Sequence, residues 1–262
     1  MILNKSVTLI IPCKNEQDSI PKLLRRVPKY IDEVIVVDNN SSDNTAQVAQ
    51  KFGAIVVSEK RKDKFGIGYG YAHQKGMKIA SSDYIVTMDG DSTYPLNEIK
   101  KLITHMEKKQ IDFVSCSRFP LKTAQAITKM RQLGVWILNT EVKVLYQYPM
   151  QDILSGMWAM NRKTARRLKL IEGGWDLSPE IKLEALQTRG LTFGEYHIDH
   201  AHRDNGASKQ QLWTTGFNHL KYIAVRRLTR DNPALLFSRK QLKNFRKGWD
   251  VLLETFAPNL AE

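Results

Sequence analysis

Cysteine is scarce in this chain: Cys13 and Cys116 are the only two in 262 residues. Both sit in or beside apolar runs, so they are expected as buried free thiols, and a scaffold built on disulfides is excluded. Long apolar runs are missing as well. No stretch approaches the roughly 18–20 apolar residues that a membrane-crossing helix needs. Met1 to Ser6 carries a lysine but leads straight into a strand-like run, without the apolar segment and cleavage site of a secretion signal. The expected location is therefore the cytoplasm, in solution or peripheral at the cytoplasmic face of a membrane. Acidic residues are also in deficit, 27 against 40 basic ones, for a net charge of +13. Such a surplus favours polyanionic partners: phosphorylated substrates, anionic lipid headgroups or nucleic acid. Much of it gathers between residues 201 and 250, from Arg203 and Lys209 to Arg246 and Lys247. A solvated basic face would have the same composition.

What is present is an alternation. Val7 to Pro12 is a short apolar run, as a buried parallel strand should be. Ile20, Leu23, Leu24 and Val27 follow at helical spacing, and Glu33 to Asp38 is a second strand ending on an acid. Ser42 or Asp43 is placed to cap a helix running to Phe52, which Gly53 closes. Strands are predicted at 54–58, 84–88 and 112–116, with helices ending near Ala80 and spanning 96–109. Strands alternating with helices of this length imply βαβ units and an α/β fold with a mostly parallel sheet. The second half is less regular: a helix over 124–148, a strand over 153–160, a helix over 178–189, a strand over 191–198, and basic amphipathic stretches at 210–230 and 238–256.

In parallel sheets ligands bind beyond the carboxyl ends of the strands. Pro12, Asp38 and Asp89 all fall there. Asp89-Gly90-Asp91 sets two carboxylates around a glycine just after a strand, hard oxygen ligands of the kind that Mg2+ or Mn2+ takes while keeping positions open for phosphate. Taken alone, an ordinary acidic turn looks the same. Asn15 and Glu16 follow the first strand and Asn39, Asn40, Ser42 and Asp43 the second, where they can read a base and ribose or simply turn the chain and cap a helix. Gly66 and Gly68 open a helix whose amides can approach phosphate, or form a flexible loop. His197, His200 and His202 invite a zinc reading, but no clear further ligand shares their spacing. Trp136, Trp158, Trp175 and Trp213 fit core or interface positions at least as well as sugar-stacking ones.

The ordered series Ile-Pro12-Cys-Lys-Asn-Glu16, Val-Val-Asp38-Asn-Asn-Ser-Ser-Asp, Gly66-Ile-Gly68 and Ala80 through Asp91 resembles the family 2 glycosyltransferases of GT-A fold. It is most similar to their dolichol- and polyprenyl-phosphate branch. Ser117-Arg118, Asp152 through Ala159, and Arg203 through Lys209 resemble that branch's acceptor-side motifs, so the likeness spans roughly residues 7–210. The resemblance implies a GT-A catalytic domain over 1–210, with a nucleotide-sugar half of about 1–118 and an acceptor half of about 119–210. Residues 211–262 would be a basic helical extension, packed on the domain or on an anionic membrane surface. It further implies a nucleoside-diphosphate sugar donor held by Pro12, Asn15, Glu16, Asp38, Asn40, Gly68 and Gly90, with Asp89 and Asp91 serving a Mg2+ or Mn2+ ion and the diphosphate. Arg118, Ser155, Arg203, Ser208 and Lys209 would engage the phosphate of a polyprenyl-phosphate acceptor, since arginine forks bind phosphate and stay charged. Asp152 joins Asp89 and Asp91 as a candidate catalytic residue. It could be a general base for a hydroxyl acceptor, or position the metal or an acceptor that is already ionised.

The chain departs from that branch at two places. Thr93 stands where a glutamine often completes the metal turn, and Asn39 stands where many members carry an acid. The inverting transfer of a hexose to a polyprenyl phosphate is the expected reaction. The same donor chemistry on a soluble glycan, a small molecule or a nucleic-acid base is the alternative, and a catalytically silent nucleotide-sugar-binding scaffold is the rival of another class.

Overall fold

The computed structural model describes residues 4–122, 127–201 and 211–231. The first half builds β1 (Val7–Cys13), α1 (Ile20–Arg25), β2 (Glu33–Asp38), α2 (Thr45–Lys51), β3 (Ile55–Ser58), α3 (Tyr69–Ile79), β4 (Tyr84–Thr87), α4 (Ile99–Lys109) and β5 (Phe113–Ser117). The second half adds α5 (Lys129–Tyr146), β6 (Trp158–Asn161), α6 (Arg162–Arg167), α7 (Leu177–Gln187), β7 (Phe193–His197) and α8 (Leu212–Asp231). The stretch expected to be helical at 238–256 lies outside the described residues.

The strands form one seven-stranded sheet in the order β3-β2-β1-β4-β6-β5-β7. β1, β2, β3 and β4 run parallel to one another, and β5 pairs parallel with β7. β6 is antiparallel to both of its neighbours. The mixed α/β architecture is thus as expected, mostly parallel with one reversed strand. The alternating side chains of each strand feed two cores. Leu9, Ile11, Val36 and Val86 pack with Ile20 and Leu23 of α1 and Ile99, Leu102, Ile103 and Met106 of α4. Ile10, Ile35, Ile85 and Trp158 pack on the other face with Ala72 of α3 and Leu177 and Ile181 of α7. The i, i+3, i+4, i+7 spacing in α4 turns one stripe to the sheet and leaves its lysines in water.

Several boundaries differ from the sequence reading. The strand expected over 153–160 is confined to Trp158–Asn161, and residues 152–156 form a buried loop instead. A continuous apolar run reads alike in either state. The residue before α2 is Asn44, with no side-chain cap bond; Asp43 instead accepts at Oδ1 from Thr45 N at 3.0 Å and from Thr45 Oγ1. Cys13 and Cys116 are buried and free, as expected.

The chain divides into two compact units, Met1–Gln132 with Gln151–Ala207, and Leu133–Met150 with Ser208–Glu262. The first holds the whole sheet. Reading the chain as 1–210 plus 211–262 does not show that 133–150 groups with the carboxyl-terminal segment. In the second unit, Tyr146 Oη donates to Ile223 O at 2.9 Å and Arg227 Nε to Leu145 O at 2.6 Å, tying α5 to α8. No described helix is long and apolar enough to cross a membrane.

Candidate active site

Register brings three of the expected residues to one edge. Cys13 pairs with Asp38 across β1 and β2, Ile10 pairs with Thr87 across β1 and β4, and Met88 N donates to Ile10 O at 3.1 Å. Pro12, Asp38 and Asp89 therefore leave neighbouring parallel strands at the same carboxyl end. The loops that follow are laced together. Asn15, in left-handed backbone at φ +52°, accepts at Oδ1 from Ser42 N at 2.8 Å, and Glu16 N donates to Thr45 Oγ1 at 2.8 Å. Asp38 Oδ1 accepts from Ser41 N at 3.2 Å, while Asn40 is exposed. These residues shape the rim through local turn chemistry, as the alternative reading of their types allowed.

Gly68 precedes α3 for a steric reason. A Cβ there would lie 2.3 Å from Asn39 Oδ1 and 2.5 Å from Arg61 O, so the 59–68 loop closes directly on the end of β2. The next residue, Tyr69, points its hydroxyl to Asp89 Oδ1 at 3.1 Å. Burial first, and then the neighbouring Asp89 charge, push its phenol pKa well up, so it remains a donor. Asp91 Oδ1 accepts from Thr93 Oγ1 at 2.7 Å and from Thr93 N at 3.2 Å, with Ser92 at φ +64° making the bend. Thr93 thus orients Asp91. Gly90 sits against Cys13, whose Sγ would lie 2.7 Å from an added Cβ.

Arg118 and Asp152 meet beside this turn. Arg118 donates from Nε to Oδ2 at 2.6 Å, from an Nη to Oδ1 at 2.9 Å and from its backbone N to Oδ2 at 3.1 Å. Asp152 is 0% exposed and the arginine side chain 14%. Burial alone would raise the Asp152 pKa, but the Arg118 charge and hydrogen bonds outweigh it and the net direction is down. Asp152 is a fixed anion, not a group poised to take a proton.

Beyond Asp152 the chain turns back to Asp89. Gly156 N donates to Tyr94 Oη at 2.7 Å, and a Cβ on Gly156 would lie 2.6 Å from Asp89 Oδ2. Only glycine lets this backbone touch Asp89. Gly156→Ala is expected to lower kcat/KM about 10²-fold, the scale of a misplacement near 1 Å, with the folded state retained by circular dichroism. Ser155 is wholly buried, and its Oγ accepts from Met157 N at 3.4 Å. In this structure the Ser155 hydroxyl, expected at an acceptor phosphate, packs inside the loop. Arg203, Ser208 and Lys209, and His202, lie outside the described residues.

Tyr69, Tyr94, Lys182 and Glu195 were not singled out as site residues from the sequence. Tyr69 had one signal, its place directly after Gly68. The others act through contacts far apart in the chain. Among the described residues, no cluster of three or more His, Cys, Asp and Glu side chains could hold a metal. His197 Nδ1 instead lies 3.1 Å from Phe119 O, and His200 meets the edge of Tyr94 at 5.0 Å between ring centroids. The zinc reading has no support there.

The sequence profile of glycosyl transferase family 2 matches residues 8–168, more than half of the chain. The chain belongs to glycosyl transferase family 2. It is 30% identical over 208 residues to an uncharacterized glycosyltransferase of Mycobacterium bovis, covering 78% of this chain and 89% of that one. It is 25% identical over 240 residues to the low-salt glycan biosynthesis hexosyltransferase of Haloferax volcanii, covering 89% of this chain and 55% of that one. Among solved structures it resembles mannosyl-3-phosphoglycerate synthase from Rubrobacter xylanophilus, with TM-score 0.66, 19% identity, and coverage of 90% and 77% of the two chains. It also resembles glucosyl-3-phosphoglycerate synthase from Mycobacterium tuberculosis in complex with Mn2+, UDP-glucose and phosphoglyceric acid, with TM-score 0.63, 20% identity, and coverage of 86% and 80%. The fold is GT-A, and this family 2 member is a glycosyltransferase.

Proposed function

We propose that this glycosyltransferase moves a hexose from a nucleoside-diphosphate sugar to a polyprenyl phosphate at a membrane surface. The donor side rests on Pro12, Asp38, Asp89 and Asp91 at one sheet edge. Asp89 and Asp91 offer hard carboxylate oxygens on a tight turn and would hold a Mg2+ or Mn2+ ion. When bound, that ion neutralises charge on the departing diphosphate. Tyr69 and Thr93 hold the two carboxylates in orientation. Mn2+ in the complexes of glucosyl-3-phosphoglycerate synthase supports the same reading.

On the acceptor side, Arg118 brings a buried guanidinium close enough to Asp89 for their charges to interact. A phosphate oxygen placed there attacks the anomeric carbon as the bond to the nucleoside diphosphate breaks, and the diphosphate leaves with the electron pair. One displacement inverts the anomeric configuration. The attacking phosphate is already ionised, so no base is required, which suits an Asp152 locked to Arg118.

The observation that carries the lipid acceptor is the outer face of α5. Leu133, Ile137 and Val144, at helical spacing, and Trp136 beside them are exposed, Trp136 by 64% and Val144 by 71%. Apolar residues in such a row on a chain of net charge +13 suit an interfacial helix on anionic lipid. A second reading, a small phosphorylated acid as acceptor, is favoured by the likeness to enzymes named for 3-phosphoglycerate. Assaying polyprenyl phosphate in anionic vesicles against 3-phosphoglycerate over a panel of donors separates the two. Trp136→Asp should cut vesicle binding and lipid-dependent transfer about tenfold, the scale of one buried aromatic side chain. Transfer to 3-phosphoglycerate that ignores Trp136→Asp would instead establish the second reading.

A further inference from the structure

Lys182 is the one lysine among the largest fully buried side chains of the described residues. It sits in α7 between Ile181 and Leu183, at 0% exposure. An ammonium in such a place costs several kcal/mol in desolvation, so its contacts need a reason. Its Nζ donates to Ile153 O at 2.6 Å and to Ser155 O at 2.7 Å. These carbonyls flank Leu154 at the tip of the loop that runs from Asp152, on Arg118, to Gly156, on Asp89.

The same loop is gripped from two other directions. The Glu195 carboxylate accepts from Gln151 N at 3.0 and 3.1 Å and from Asp152 N at 3.3 Å. Tyr94 Oη accepts from Gly156 N. Amides at each end and carbonyls in the middle are thus held by side chains of β7, α7 and the metal turn's flank. Without the Lys182 donors, the Ile153 and Ser155 carbonyls would lose these hydrogen bonds in the interior, a loss the backbone offsets by turning. Turning them moves Asp152 and Gly156, which touch Arg118 and Asp89.

We infer that Lys182 is a positioning residue that clasps the 152–156 loop, setting the acceptor-side guanidinium and the donor-side carboxylate at working distance from each other. This rests on the proposed function for its catalytic consequence, but not for the clasp itself. The charges facing Lys182 are Asp152, Arg118 and Glu195, with the Cys116 thiol nearby. Burial lowers the ammonium to about 7, with Asp152 opposing the shift. Burial likewise pushes Glu195 up to about 6.

The test is Lys182→Met in the full chain, which keeps the volume and removes donors and charge. Hydrogen exchange should quicken at the amides of 153–157 while β1, β2 and β4 keep their protection. With polyprenyl phosphate and a turned-over donor, kcat should fall about 10²-fold and the donor KM stay within about twofold. If Lys182→Met does not fold, Lys182→Leu, which also removes the donors and the charge, is read in the same way. Exchange in 153–157 unchanged, or quickened equally across β4, β5 and β6, overturns the clasp. A wild-type protein that never glycosylates polyprenyl phosphate refutes the lipid acceptor instead, and the exchange result still decides Lys182.

Discussion

Replacing Asp91 with alanine is expected to lower kcat/KM for sugar transfer by about a thousandfold, with little change in melting temperature. The size follows from the several kcal/mol of transition-state charge stabilisation that a metal-phosphate site provides, each 1.36 kcal/mol being about tenfold in rate. Stability should hold because Asp91 bonds to Thr93 two residues away and is only partly buried, outside the core. Thr93→Val tests the orienting bond separately: it removes the hydroxyl and keeps the shape, so its effect should be a small part of that of Asp91→Ala. Steady-state kinetics in Mn2+ or Mg2+, with circular dichroism to follow folding, measures both. A thousandfold loss that comes with unfolding would move Asp91 from chemistry to structure.

Asp152→Ala should act in the opposite order, on stability first. It strands the Arg118 guanidinium, three of whose donor contacts end on that one carboxylate counting the backbone amide. Breaking a buried pair on one side costs about 3–5 kcal/mol. In a chain of this size that is a fall of about 10 °C in melting temperature. Replacing both partners, Arg118→Met with Asp152→Leu, should recover much of the stability, because paired buried charges repay little more than their desolvation. Activity should not recover, since the guanidinium proposed to meet the acceptor is gone. The pH dependence has a definite sign. The Asp152 pKa is lowered in the folded protein. Its contribution is therefore complete above the unfolded carboxylate value of about 3.9 and is lost as pH falls through the lower folded value. Acid unfolding curves of wild type and Asp152→Ala should converge below about pH 4. A constant gap between them down to the lowest pH would contradict the pairing.

The sheet edge where Pro12, Asp38 and Asp89 converge was legible in the sequence because each of its parts is local. A buried parallel strand is an apolar run, and the chemistry follows where the run stops: Pro12, Asp38 and Asp89. The ordered spacing of those stops carried the family, and the profile match over residues 8–168 agrees with it. The stretch expected on the acceptor side was only half legible. Ile153, Leu154, Met157 and Trp158 form an apolar run around Ser155 and Gly156, and periodicity does not tell a buried loop from a strand. What makes it a loop is tertiary: Lys182, Glu195 and Tyr94 satisfy its backbone from other elements. Lys182 reads in sequence as a solvated helix residue, and nothing adjacent signals its burial. Ser155 shows the converse, a hydroxyl that motif likeness assigns to the acceptor and the fold turns inward. The grouping of α5 with α8 was hidden for the same reason, since their contacts join distant stretches of chain.

The most direct measurement is the product itself. The full chain is incubated with anionic vesicles containing a polyprenyl phosphate, Mn2+ and each donor of a nucleoside-diphosphate sugar panel, and the organic extract is examined by mass spectrometry. The account predicts a polyprenyl phosphate heavier by one hexose, formed mole for mole with nucleoside diphosphate, lost on chelation and absent with Asp91→Ala. A donor consumed with no change in the lipid, and its sugar recovered on a water-soluble acceptor, would contradict it.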